Sequence, residues 1–138
     1  MKILKTLGTV VSTATMICIA YAAVAKVIDH RDKQIFMEKQ KQIECLATNI
    51  YHEARSESSI GKIAVAWVTV NRVNTKQYPD TICGVVHDAK LDSKGAPKKH
   101  QCQFSWYCDG KSDEIKNKDA WYDSLQIATL VYYSERFD

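Results

Sequence analysis

The chain has 138 residues, 46% apolar and 25% charged, with 5 Gly and 2 Pro. This excludes a collagen-like, low-complexity or wholly disordered protein and leaves room for one domain, since roughly 100 residues can bury a core of their own. Net charge is +3, and removing Lys2 and Lys5 from the 19 basic residues leaves 17 against 16 acidic ones. No polyanion-binding face is required, and nucleic acid is not an expected partner.

Residues 7–25 (LGTVVSTATMICIAYAAVA) carry no charge and follow Lys2 and Lys5. A charged start before an apolar stretch reads as a signal peptide or a signal anchor. Nineteen residues at about 1.5 Å each can just cross a hydrocarbon core of about 30 Å. Ala23-Val24-Ala25 also fits a small-residue cleavage site. Both outcomes predict export, to an inner-membrane-anchored, periplasmic or extracellular location, with the membrane as partner through this single segment. Residues 26–42 are charged and lack a steady apolar stripe, so they read as a solvated helical connector.

From residue 43 to 138 the pattern is that of a folded domain. Ile43, Leu46, Ala47, Ile50 and Ala54 recur at helical spacing, predicting an amphipathic helix that ends near Arg55. Gly61 to Val73 is apolar almost all round, and its length favours a buried helix over a strand, with Ser58 or Ser59 as cap. Tyr78-Pro79 breaks the chain, and Asp80 is expected to cap a short helix through Val86. Residues 90–113 hold Gly, Pro and turn formers, which predicts a surface excursion with a strand pair around Gln103 to Tyr107. Trp121, Leu125, Ala128 and Val131/Tyr132 mark a closing helix. The fold class is mainly α (α+β), with a small β element in the 100–110 region.

Beyond Cys18, the cysteines are Cys45, Cys83, Cys102 and Cys108. Four in an exported domain suggest two disulfides with three possible connectivities; the alternative is buried free thiols. Cys102 and Cys108 could close a local loop.

His52-Glu53 begins like a zinc helix, but Ser56 stands where the second histidine would be. Without two imidazoles one turn apart, no metal is expected, and no phosphate or dinucleotide loop calls for a cofactor. A carboxylate remains. Glu53 lies about 80° from the Ile43 axis, at the edge of the apolar stripe, while His52 points away from it. A half-desolvated carboxyl there would be raised in pKa, as a general acid for a glycosidic oxygen requires. A solvated helix glutamate is the plain alternative.

The string Asn49-Ile50-Tyr51-His52-Glu53-Ala54-Arg55-Ser56-Glu57, then Gly61-Lys62-Ile63-Ala64-Val65-Ala66 and Asn71-Arg72-Val73, resembles the SleB-type cell-wall hydrolases. Tyr78-Pro79-Asp80-Thr81-Ile82-Cys83-Gly84-Val85-Val86 and Cys102-Gln103-Phe104-Ser105 match later blocks in the same order. The resemblance implies a lysozyme-like fold, Glu53 as catalytic acid, and a glycan groove lined by Gln103, Phe104 and Ser105. Trp106 and Tyr107, beside them, are candidates for sugar stacking, whereas Trp67 and Trp121 read as core. Glu57 is a further substrate-binding candidate and the nearest second carboxylate in sequence. Ser56 replaces the family's usual glycine, which is tolerable unless that backbone needs a positive φ. Family members continue past the point where this sequence ends, so the chain reads either as a C-terminally truncated reading frame or as a reduced version of the domain.

The implied substrate is the peptidoglycan glycan strand, cut at the β-1,4 bond between N-acetylmuramic acid and N-acetylglucosamine. One carboxylate suffices for a lytic transglycosylase, whose muramyl 6-hydroxyl closes a 1,6-anhydro ring. A muramidase using water commonly needs two. A catalytically dead, membrane-anchored peptidoglycan-binding protein is the non-enzymatic alternative. The 7–25 segment also looks like the signal-anchor-release segments of some phage endolysins, in some of which a cysteine exchanges with an inhibitory disulfide. By that likeness Cys18 would tune release or activation through a bond involving Cys45.

Overall fold

The computed structural model describes the backbone of residues 2–134 and the side chains of residues 15–134. The chain divides into two units between Glu38 and Lys39. Helix α1 (Lys2–Ala54) runs through both. In the first unit every described side chain from Thr15 to Glu38 is exposed, among them Ile17, Val24, Ile28 and Phe36. Among the described residues no helix is long and apolar enough to cross a membrane. Residues 7–14 of the expected membrane segment lie outside those whose side chains are described.

The second unit is mainly helical with one small sheet. Its core joins Ile43, Leu46, Ala47 and Ile50 of α1 to residues of three further helices. Helix α2 (Ser59–Val73) starts where its sequence predicts, with Ser58 accepting the Gly61 N–H at 3.4 Å. Helix α3 (Ile82–Val86) is capped by Thr81, not by Asp80 as expected: the Thr81 hydroxyl accepts the Gly84 N–H at 3.0 Å. Gly84 is needed there, because a Cβ would stand 2.7 Å from Pro79 Cβ and 2.8 Å from Thr81 Oγ1. Helix α4 (Lys118–Ser134) closes the core with Ile127, Ala128 and Val131. The buried Lys62 of α2 pairs with Asp123 of α4.

Two disulfides are present, Cys45–Cys83 and Cys102–Cys108, and Cys18 is an exposed free thiol. The first ties α1 to α3, beside a hydrogen bond from the Cys83 N–H to Gln42 Oε1 at 2.9 Å.

The β element sits earlier than its sequence suggests. Strand β1 (Ala89–Leu91) pairs antiparallel with β2 (Pro97–Cys102), with a register shift between Ala89 and Leu91. Asp92 builds the turn by accepting the N–H groups of Lys94 and Ala96, and Gly95 takes φ +80. Ser105–Cys108 instead winds into a 3₁₀ turn. The Cys102–Cys108 bridge closes that loop tightly, and Trp106 must turn inward to reach a partner in the core.

Candidate active site and a neighbouring cavity

The site is organised by the end of α1. Residues 42, 46, 49 and 53 form one ridge: on a helix of about 100° per residue, Glu53 falls between Asn49 and Leu46, about 40° from the first. Gln42, Leu46 and Asn49 are all buried, the last two completely. Glu53 is exposed. A side chain on a buried ridge that is itself open stands where the covering layer stops, one residue before the end of α1. The half-desolvation expected of it is not found.

The layer that stops short of Glu53 is fixed by hydrogen bonds. Asn49 Oδ1 accepts the Trp106 indole N–H at 2.9 Å, and Asn49 Nδ2 donates to Thr69 Oγ1 at 3.0 Å. One buried amide thereby locks α1, α2 and the 3₁₀ turn together. Trp106 is only 9% exposed and stacks on His52, with ring centroids 4.4 Å apart. As a sugar platform it is therefore occluded, because its N–H and one face are already used.

Phe104 is also buried, beneath the Arg72 guanidinium at 4.8 Å, and Arg72 lies 5.6 Å from the Tyr78 ring centroid. Gln103 is half-buried, its N–H bonded to the Asp88 carbonyl at 2.8 Å, and borders a cleft of about 440 Å³ beside the β1–β2 hairpin. Ser105 is exposed at the start of the 3₁₀ turn. The QFS block is thus split: Phe104 supports the floor, while Ser105 and part of Gln103 reach solvent. Glu57 is exposed, and its N–H caps the Ala54 carbonyl at 2.9 Å. Ser56 is not in the left-handed region, so serine replaces glycine there without backbone strain.

On the other side of the same turn lies a cavity of about 440 Å³ that sequence reasoning missed. Tyr51 and His52 wall it from α1, Arg55 from just past the end of that helix, Trp106 from the 3₁₀ turn, and most of residues 109–117 from the loop between that turn and α4. The loop is held down by Tyr51, whose hydroxyl accepts the N–H groups of Lys116 and Asn117 at 3.2 and 3.1 Å. Gly110 at φ +81 allows the reversal, and Asn117 Oδ1 caps α4 by accepting the Ala120 N–H at 3.0 Å. Asp109 accepts the Lys111 N–H at 2.7 Å, which holds its carboxyl below the usual carboxylate range.

His52 is half-buried, not solvent-facing as its place on the helix suggests. Burial lowers its pKa below 6.5, with the Asp113 charge and main chain opposing. Its Nε2 is buried without a hydrogen-bond partner among the described residues.

An open carboxylate thus stands at the end of a helix, beside a floor knitted by buried hydrogen bonds. The model of the family described as Cell Wall Hydrolase matches residues 56–138. The chain belongs to that family. Its match takes in Glu57, Gln103, Phe104 and Ser105 and begins just after Glu53. Among curated relatives, the spore cortex-lytic enzyme of Oceanobacillus iheyensis is 41% identical over 51 residues, 37% of this chain and 18% of the relative. That of Bacillus cereus is 37% identical over 51 residues, 37% of this chain and 20% of the relative. That of Bacillus subtilis is 39% identical over 46 residues, 33% of this chain and 15% of the relative. The matched stretch spans a fifth or less of these relatives' own length. No solved structure matches the chain.

Proposed function

We propose that this protein degrades peptidoglycan, cutting the β-1,4 bond between N-acetylmuramic acid and N-acetylglucosamine as a lytic transglycosylase. The observation that carries the reading is the exposure of Glu53 on an otherwise buried ridge of α1. A carboxyl this open can be reached by a glycan strand and can exchange protons with it.

In this mechanism Glu53 donates its proton to the glycosidic oxygen as the N-acetylglucosamine side leaves. The resulting carboxylate then accepts the proton of the muramyl 6-hydroxyl, whose oxygen bonds to C1 and closes the 1,6-anhydro ring. Glu53 ends reprotonated, and no water is consumed. Ser105 and Gln103 would offer polar contacts along the strand, with Phe104 and Trp106 supporting them from below.

The reading places the catalytic domain at residues 43–138 in a lysozyme-like fold, outside the cytoplasm. Residues 1–25 would serve for export or anchoring and 26–42 as connector. Cys18 would then tune release or activation by thiol–disulfide exchange. Clearing of murein in a zymogram tests the activity: the wild type should clear it and Glu53→Gln should not. Clearing by Glu53→Gln would reject Glu53 as the acid.

A further inference from the structure

The cavity beside His52 lies round the helix from Glu53. On the helical wheel His52 and Tyr51 sit about 100° and 160° from Glu53, so the two sites open on different faces of one turn. The cavity is lined by charges of both signs. Lys111 and Asp109 pair with each other, Lys111 Nζ standing 3.6 Å from Asp109 Oδ2. Arg55, Asp113, Glu114 and Lys116 take part in none of the salt bridges found among the described residues. In these four, both signs therefore line one concave wall with no ion pair between them among the described residues. Arg55 is also held in place, its guanidinium 5.5 Å from the Tyr51 ring centroid.

A wall of this kind suits a ligand carrying both signs. A planar guanidinium takes a carboxylate in two parallel hydrogen bonds, and an aspartate takes an ammonium. Asn117 and Ser112 offer amide and hydroxyl groups between them, and the stacked His52–Trp106 pair gives an apolar floor. The loop is tied down at Tyr51, so the walls are set before any ligand arrives.

We propose that this cavity binds a short zwitterionic peptide, with Arg55 receiving a carboxylate and Asp113 an ammonium group. Resting on the peptidoglycan reading above, the ligand is the peptide stem of the same polymer, which carries free carboxylates and a free amine. The cavity would then hold the stem while the glycan strand crosses the neighbouring face at Glu53.

The probe is the tetrapeptide L-Ala-γ-D-Glu-meso-diaminopimelate-D-Ala, titrated into the full chain by NMR or calorimetry. The wild type should bind it, and Arg55→Gln and Asp113→Asn should each weaken binding by about tenfold. Acetylating the peptide's amines should weaken binding to the wild type and abolish the effect of Asp113→Asn, while Arg55→Gln still matters. Glu53→Gln should bind as the wild type does. Melting curves check that both cavity variants remain folded. No binding by a wild type that cleaves murein overturns this inference alone. Binding unaffected by either substitution overturns it as well. Cleavage by Glu53→Gln would instead overturn the catalytic reading and leave the peptide titration to stand by itself.

Discussion

Glu53 and His52 are neighbours in the chain, yet neither enters the environment that its place on the helix suggests. Glu53 lies within the buried arc of α1 and is open to solvent; His52 lies outside that arc and is half-buried. What decides is the partner, not the wheel. The α2 and Trp106 layer ends below Glu53, whereas the 109–117 loop folds over His52 from a place distant in sequence. An exposed group on a buried ridge marks where the covering layer ends.

The widest separation between the two faces should appear in turnover. Glu53→Gln is expected to lower murein cleavage by at least about 10³-fold with an unchanged melting temperature. Glu44→Gln, an exposed glutamate lower on the same helix, should change neither.

Next in size is the amide that fixes the covering layer. Asn49→Leu leaves the buried Trp106 N–H without its acceptor and should cost about 2–3 kcal/mol, read from denaturant unfolding. A loss below about half a kcal/mol would mean that water reaches the indole, and the layer would not be dry. Smaller again is Tyr51→Phe, which removes the acceptor of the Lys116 and Asn117 N–H groups. It should cost about 1 kcal/mol and raise amide exchange in 109–117 while leaving α2 protected.

The smallest effect is the pH response of His52. Its folded pKa is depressed by burial, so between pH 6.5 and that lower value the unfolded chain binds more protons than the folded one. Stability should therefore fall as the solution is acidified through this window, and His52→Gln should remove that part of the slope. An unchanged slope in unfolding curves at pH 7 and pH 5.5 would show that His52 is open to water.

The helices were legible because their signals are local. The Ile43–Ala54 stripe, the Ser58 cap and the Trp121–Val131 spacing each report a period or a terminus that neighbours along the chain determine. The hairpin was misplaced because aromatic residues at 103–107 mimic a strand, whereas a six-residue disulfide separation and the Asn49 acceptor dictate a 3₁₀ turn. Thr81 rather than Asp80 caps α3 because the close Pro79–Gly84 approach sets the helix start one residue later. Glu53 was reached through its motif, since nothing in periodicity separates an active carboxylate from a solvated one. The His52 cavity left no local trace at all: its far wall is a polar loop whose landing point, the Tyr51 hydroxyl, is a tertiary fact.

The central claim is that one carboxylate, Glu53, serves as acid and then as base. The most direct measurement is the mass of the muropeptides released from purified murein. The account predicts fragments ending in 1,6-anhydromuramic acid, each lighter by one water than its hydrolysed counterpart and inert to borohydride. Fragments with borohydride-reducible muramic ends would contradict it, because water would have taken the place of the 6-hydroxyl and a second catalytic group would be required.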